Sequence, residues 1–102
     1  MAEPRLSPET ELRVKALFPP ETWSEVTDLL ARECGNNLPF LHDLDEYKLE
    51  RFRFAALKLS GGQIDKLKEA IALAKADWRD LLVAAGFASS VDAHRQWFPG
   101  QS

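Results

Sequence analysis

Residues 64–85 carry the clearest alternation of apolar and polar positions in the chain. The apolar residues follow one another at steps of three and four, so they share one face of a helix: Ile64, Leu67, Ile71, Ala74, Trp78, Leu81 and Ala85. Charged residues fill most of the remaining surface, so this helix is amphipathic and its apolar face needs a neighbour to cover it. The pattern predicts one long helix over residues 64–85. Gly86 should end it, and Phe87 should fold back on its last turn.

Two shorter helices are predicted before this long one. Ser7 followed by Pro8 is typical of a helix start, and the run Phe18-Pro19-Pro20 ends that helix and starts the next. The second helix should run over residues 20–34 and end at Gly35. Its apolar residues fall on one face: Trp23, Val26, Leu30 and Cys34.

Residues 44–59 fit a third helix, with Asp43 and Glu46 spaced as an acidic capping box. Its second half, residues 51–59, also alternates like a β-strand. Helix is favoured because Ala55-Ala56 breaks the alternation, β-branched residues are absent from it, and no partner strand is visible. Apolar positions wrap more than half of this helix, which predicts a central helix buried on several sides.

The linker Ser60-Gly61-Gly62-Gln63 joins the third helix to the long one, and its two polar residues have capping-box spacing. So short a linker favours an antiparallel hairpin over a kinked end-on arrangement, which is the alternative. Together with Leu59, the linker also spells the signature pentapeptide of ABC-transporter ATPases, which contacts nucleotide phosphate. The chain has no Gly-rich loop ending in Gly-Lys-Ser or Gly-Lys-Thr and is too short for that fold, so capping explains these residues better than nucleotide binding.

Together these elements predict an all-α fold, a small bundle of four to five helices around a long antiparallel helical hairpin. Ser89 and Asp92 suggest a further short helix that runs to about Trp97. We expect residues 7–98 to form a single helical domain, with disordered termini at residues 1–6 and 99–102. A chain of 102 residues, 45% of them hydrophobic, supports one core and has no room for a second.

Charge is distributed unevenly along the chain. Residues 1–50 hold eleven acidic and five basic residues, whereas residues 51–102 hold five acidic and eight basic ones, within a net charge of −3 at pH 7. This asymmetry favours orientation-specific association, including with a second copy, over binding of a polyanion. A single cysteine cannot form an internal disulfide, and no secretory leader or membrane-length apolar run is visible. We therefore expect a cytoplasmic protein with no membrane partner.

Side chains suited to metal binding or nucleophilic catalysis are few. Cys34, His42 and His94 are the only soft donors, and they lack the paired spacing of a structural zinc site. Cys34 lies on an apolar helix face, where a thiol is more often inert packing, and we expect both histidines at the surface. No set of residues combines nucleophile, base and oxyanion donors. The sequence therefore predicts no catalytic residue, no cofactor and no metal site, and it favours a non-enzymatic role.

Two stretches are candidates for an interaction surface. Arg51 and Arg53 belong to a basic cluster around the hairpin bend that also includes Lys58, Lys66 and Lys68. In the run Asp77-Trp78-Arg79-Asp80, a large aromatic residue is flanked by charges. That residue is either a core tryptophan beside surface ion pairs or an anchor for a partner. The candidate interaction residues are Arg51, Arg53, Trp78 and Arg79.

Four stretches of the chain resemble a group of small uncharacterised bacterial proteins. They are residues 17–21, 33–39, 53–62 and 77–87, and together they cover most of residues 12–90. The resemblance implies a bacterial cytoplasmic protein with an all-helical domain. It attaches no activity, ligand or catalytic residue to the group.

Protein–protein interaction, by self-association or in an adaptor or regulatory role, is the function that the sequence favours. The apolar surface of the third helix exceeds what one neighbour can cover, and the charge asymmetry would orient a partner. The alternative is a nucleic-acid-associated protein that uses the basic hairpin bend, although the net negative charge disfavours it. The expected partner is another protein or a second copy of this chain.

Overall fold

Helices are the only regular elements, together with two 3₁₀ turns, in the part of the chain that the structure describes. A computed structural model describes residues 6–34, 46–88 and 93–99. The helices are α1 (Pro8–Leu17), α2 (Trp23–Glu33), α3 (Glu46–Ser60), α4 (Ile64–Ala76) and α5 (Trp78–Ala85). The 3₁₀ turns are Pro20–Thr22 and Ala93–Gln96. The predicted all-α fold is confirmed, and residues 51–59 are helical rather than extended.

Local sequence signals set both ends of α1. The Ser7 hydroxyl oxygen accepts a hydrogen bond from the backbone N–H of Thr10 at 3.2 Å, which satisfies one of the free donors at the helix start. At the other end Phe18 is extended, as a residue before proline usually is. Both ends agree with the sequence prediction. Gly35 and Asp43, which were predicted to end α2 and begin α3, lie outside the described residues.

α3 is the central helix. It contacts α1, α4, α5 and the C-terminal 3₁₀ turn, and every residue from 52 to 57 is buried. Consecutive residues point about 100° apart around a helix axis, so six buried residues in a row mean that α3 is enclosed on all sides. The prediction of a central helix buried on several sides is therefore confirmed for its described side chains, and the apolar surface that exceeds what one neighbour can cover is covered by several segments of the same chain.

The turn between α3 and α4 depends on two glycines with positive φ angles. Gly61 and Gly62 have φ angles of +56° and +85°. The buried Ser60 hydroxyl donates to a carbonyl one turn earlier at 2.6 Å and accepts from the Gly62 N–H at 3.2 Å, so Ser60 closes α3 and does not cap α4. A Cβ atom on Gly62 would lie 2.8 Å from the carbonyl oxygen of Leu17. The two helices pack against each other, and their antiparallel arrangement stays a prediction.

The predicted single helix over residues 64–85 is wrong, because the chain breaks at Asp77 into α4 and α5. Asp77 is extended, with φ −157° and ψ 93°. Its carboxylate accepts hydrogen bonds from the backbone N–H groups of Arg79 at 3.1 Å and Asp80 at 3.3 Å, which caps the start of α5. The break lets α5 contact both α3 and α4.

The predicted end of α5 is confirmed. Gly86 adopts a left-handed conformation with φ +81°, and the backbone N–H of Phe87 donates to the carbonyl of Leu82 at 2.8 Å. The Phe87 side chain folds back and is buried. Ser89 and Asp92 lie outside the described residues, and the chain resumes in the 3₁₀ turn Ala93–Gln96.

Replacement of the α5 cap should destabilise the fold. We expect Asp77→Ala to lower the free energy of unfolding by about 1 kcal/mol, because two N–H groups lose their acceptor. Asp77→Asn should lose less than half as much, since its amide oxygen can still accept those bonds. Urea unfolding followed by circular dichroism measures both values. Equal losses in the two variants would contradict a capping role.

Candidate functional site

Two of the predicted interaction residues, Arg51 and Arg53, donate hydrogen bonds to backbone carbonyls within the fold. Arg53 is 5% exposed, and its Nε donates to the carbonyl of Cys34, just after α2, at 3.0 Å. Arg51 is half-buried, and its Nη2 donates to the carbonyl of Phe87, just after α5, at 3.0 Å. Carbonyl groups at a helix C-terminus lack intrahelical partners and carry partial negative charge. Both guanidinium groups therefore stabilise helix ends.

Lys58 makes the same kind of contact, and Arg13 makes a related one. The Lys58 ammonium donates to the carbonyl of Ala85, the last residue of α5, at 2.8 Å. Arg13 of α1 donates through Nε to the carbonyl of Trp97, just after the C-terminal 3₁₀ turn, at 3.1 Å. Three of the five cations predicted at the hairpin bend therefore donate to carbonyls within the fold. Lys58, Lys66 and Lys68 remain exposed, whereas Arg53 is removed from the surface that the nucleic-acid alternative needs.

Loss of the Arg53 donor should destabilise the fold more than loss of an exposed cation. We expect Arg53→Met to lower the free energy of unfolding by about 2 kcal/mol, because the Cys34 carbonyl loses a charged donor. Arg53→Lys should recover part of that loss. The control is Lys66→Met on exposed α4 surface, which should change the value by less than about 0.5 kcal/mol. Similar losses for Arg53→Met and Lys66→Met would contradict the structural role.

The other two predicted interaction residues, Trp78 and Arg79, stack at the start of α5. The Trp78 ring is half-buried and lies perpendicular to the Phe52 ring, with centroids 5.8 Å apart. The guanidinium carbon of the exposed Arg79 lies 5.3 Å from the Trp78 centroid. Trp78 is thus placed against the core with a cation beside it. A role for these two residues in partner binding stays a prediction.

A polar cluster that the sequence did not reveal joins α1, α3 and the C-terminal 3₁₀ turn around the buried carboxylate of Glu50. The Ser7 hydroxyl donates to the Glu50 carboxylate at 2.6 Å, and the Arg95 guanidinium lies 3.7 Å from the other Glu50 oxygen. Arg13 donates to the Glu9 carboxylate at 3.1 Å. Glu9, Arg13, Glu50 and Arg95 line a cleft of about 280 Å³. Because the Glu50 carboxylate contacts Ser7 before α1 and Arg95 of the C-terminal 3₁₀ turn, the cluster supports the fold.

Sequence signals for this cluster exist but are weak. Glu50 lies one turn before Phe54, on the face of α3 that the apolar pattern assigns to the core. Arg13 lies one turn after the buried Thr10 and beside Val14. Its guanidinium carbon is 4.0 Å from the Phe54 ring centroid, which suits a buried arginine. From the sequence alone, Glu50 and Arg13 resemble surface charges, because their partners lie far away in the chain.

His94 is buried, so the expectation of a surface histidine at this position is wrong. Its ring centroid lies 5.3 Å from that of Phe54 and 6.3 Å from that of Phe87. The 3₁₀ turn Ala93–Gln96 is too short to show an apolar period, which explains why its sequence gave no sign of burial. His42 lies outside the described residues.

Cys34 is fully buried, as its place on the apolar face of α2 predicted. Removal from water raises the pKa of the Cys34 thiol from 9.0 to about 12, and the nearby charges of Arg53 and Lys75 oppose this only in part. A neutral, enclosed thiol is a poor nucleophile.

The raised pKa predicts a specific loss of stability in alkaline solution. Between the ordinary pKa and the folded-state value, the unfolded chain releases a proton that the folded chain retains, so stability falls as pH rises. From pH 8 to pH 10 this thiol should account for a loss of about 1.4 kcal/mol in the free energy of unfolding. Cys34→Ala should lack this component, so the test is the difference between the urea-unfolding pH profiles of the two proteins. Parallel profiles would contradict it.

No group of three or more His, Cys, Asp or Glu side chains converges on a possible metal position among residues 6–34, 50–88 and 93–99.

A concave surface among the described residues follows α2 and continues towards α4; we call it the α2–α4 surface. One part is a concavity of about 620 Å³ lined by Glu21, Ser24, Glu25, Asp28, Leu29, Arg32 and Glu33. It adjoins a second one of about 270 Å³ lined by Leu29, Glu33, Lys68, Ile71, Ala72 and Lys75. Leu29 and Glu33 belong to both, so the surface is continuous across the two helices.

The two sides of the α2–α4 surface carry opposite charge. The α2 side is acidic, with one basic residue, Arg32, among its acids. The α4 side is basic, through Lys68 and Lys75. One ion pair connects them, between Lys75 Nζ and Glu33 Oε1 at 3.4 Å, and apolar groups of Leu29, Ile71 and Ala72 also line the second concavity.

None of the helices in the described part of the chain is both long and apolar enough to cross a membrane. Comparison of the chain with models of protein families, with curated proteins and with solved structures gives no match. The resemblance to small bacterial proteins therefore stays a prediction.

Proposed function

We propose that this chain is a small interaction domain that binds a protein through its α2–α4 surface, in the cytoplasm. The observation that carries the proposal is the combination of a continuous concave surface, opposite charges on its two sides and apolar side chains in its lining. Interfaces typically combine an apolar centre with a polar rim, and complementary charge steers a partner into one orientation.

Several other charged groups that could have bound a ligand support this choice, because their hydrogen bonds join parts of the fold. Arg51, Arg53 and Lys58 donate to backbone carbonyls at helix ends. The Glu50 carboxylate accepts from Ser7 and lies beside Arg95. By contrast, the charged rows of the α2–α4 surface face solvent, and Glu21, Glu25, Asp28 and Lys68 are exposed.

A bulky charged side chain in the middle of this surface should block binding. Ala72 is exposed and lines the second concavity, so Ala72→Arg places a long charged side chain in it. We expect cross-linking in extract of the source organism, followed by mass spectrometry, to recover at least one protein with the native chain. Its recovery should fall about tenfold with Ala72→Arg, which corresponds to a loss of about 1.4 kcal/mol of binding free energy.

The matched control is Ala84→Arg, the same substitution at an exposed alanine of α5. It should leave recovery of that protein unchanged. Circular dichroism and urea unfolding should show that both variants remain folded. If every protein recovered with the native chain is recovered equally with folded Ala72→Arg, the α2–α4 surface is not the binding site.

A further inference from the structure

We infer that the α2–α4 surface binds a second copy of this chain, around a two-fold axis that runs along the groove between the two helices. This inference rests on the proposed function and names the partner. It begins from the charge arrangement, because a surface with an acidic row beside a basic row is complementary to itself.

Only one orientation of a two-fold axis in the interface brings opposite charges together. An axis along the groove places the α2 of one copy over the α4 of the other, so each acidic row meets a basic row. An axis across the groove places α2 over α2 and α4 over α4, so like charges meet, and such contacts are destabilising. The charges therefore select the first arrangement.

The heights of the charges along the two helices also match. Glu33 pairs with Lys75 near the ends of the two helices. Near their starts, Trp23 of α2 donates to the carbonyl of Phe18, and a Cβ atom on Gly62 before α4 would lie 2.8 Å from the carbonyl oxygen of the adjacent Leu17. α2 and α4 therefore run in the same direction along this face. Glu25 lies about two turns before Glu33, and Lys68 lies two turns before Lys75. An axis along the groove preserves height. It therefore brings Glu25 of each copy opposite Lys68 of the other, so this contact is made twice.

The size of the surface predicts a weak dimer. α2 has 11 residues and α4 has 13, so the face is about 17–20 Å long and, with two adjacent helices, about 20 Å wide. Such a face buries on the order of 350 Å² per copy, below the area typical of stable complexes. We expect a dissociation constant on the order of 100 µM at low salt, weakening as salt screens the charged rows.

Charge reversal gives a test that folding defects cannot imitate. In Glu25→Lys the contact between residue 25 of one copy and residue 68 of the other becomes lysine against lysine. In Lys68→Glu it becomes glutamate against glutamate. Each variant alone should be monomeric by sedimentation equilibrium up to about 1 mM, whereas the native chain should dimerise at about 100 µM. An equimolar mixture of the two variants restores both contacts, so it should form a mixed dimer with about the native affinity. The double variant Glu25→Lys with Lys68→Glu should also dimerise.

Two controls reverse charges elsewhere on exposed helix surface: Lys66→Glu on another side of α4 and Glu11→Lys on α1. Both should dimerise like the native chain. A native chain that stays monomeric at about 1 mM in low salt overturns the inference. So does a native dimer that both single variants preserve, or a mixture that does not associate. If the native chain is monomeric while Ala72→Arg still abolishes recovery of another protein from extract, the proposed function stands and only the second-copy assignment fails.

Discussion

Cations of α3 hold the ends of the surrounding helices. Every α-helix leaves its last carbonyl groups without intrahelical partners, and a chain of five described helices with 8 to 15 residues each has many such ends near its core. Arg53 donates to the carbonyl after α2, Lys58 to the last carbonyl of α5, and Arg51 to the carbonyl just beyond. Burial of Arg53 is tolerated because its charge meets the partial negative charge at a helix end.

The packing of α3 in the core limits where on the protein a partner can bind. The buried face of α3 fills the core, and Arg51, Arg53 and Lys58 donate to carbonyls, so the helix that the sequence predicts to be central offers little free surface within the described residues. α2 is different, because its apolar residues Val26 and Leu30 are buried while its acidic row remains exposed beside α4. A peripheral helix pair is therefore better placed than the central helix to meet a partner.

The sequence predicted what local chemistry determines. The starts and stops at Ser7, Phe18 and Gly86 depend on neighbouring residues, and all three agree with the structure. The break at Asp77 escaped prediction because the apolar spacing continues across it from Ala74 to Trp78, and periodicity alone cannot distinguish a helix from two helices with matching faces.

The sequence did not predict which charged residues are buried, because their burial depends on partners far away in the chain. Glu50 meets a serine 43 residues away, and Arg13 meets a carbonyl 84 residues away, so neither contact is visible in a local window. The charge asymmetry between the two halves of the chain was visible, and the fold converts it into acidic α2 beside basic α4. The Glu33–Lys75 pair that joins them is half-exposed, and such pairs contribute about 0–1 kcal/mol to stability. The exposed charges on both sides of this pair would orient a partner, because complementary charge steers association.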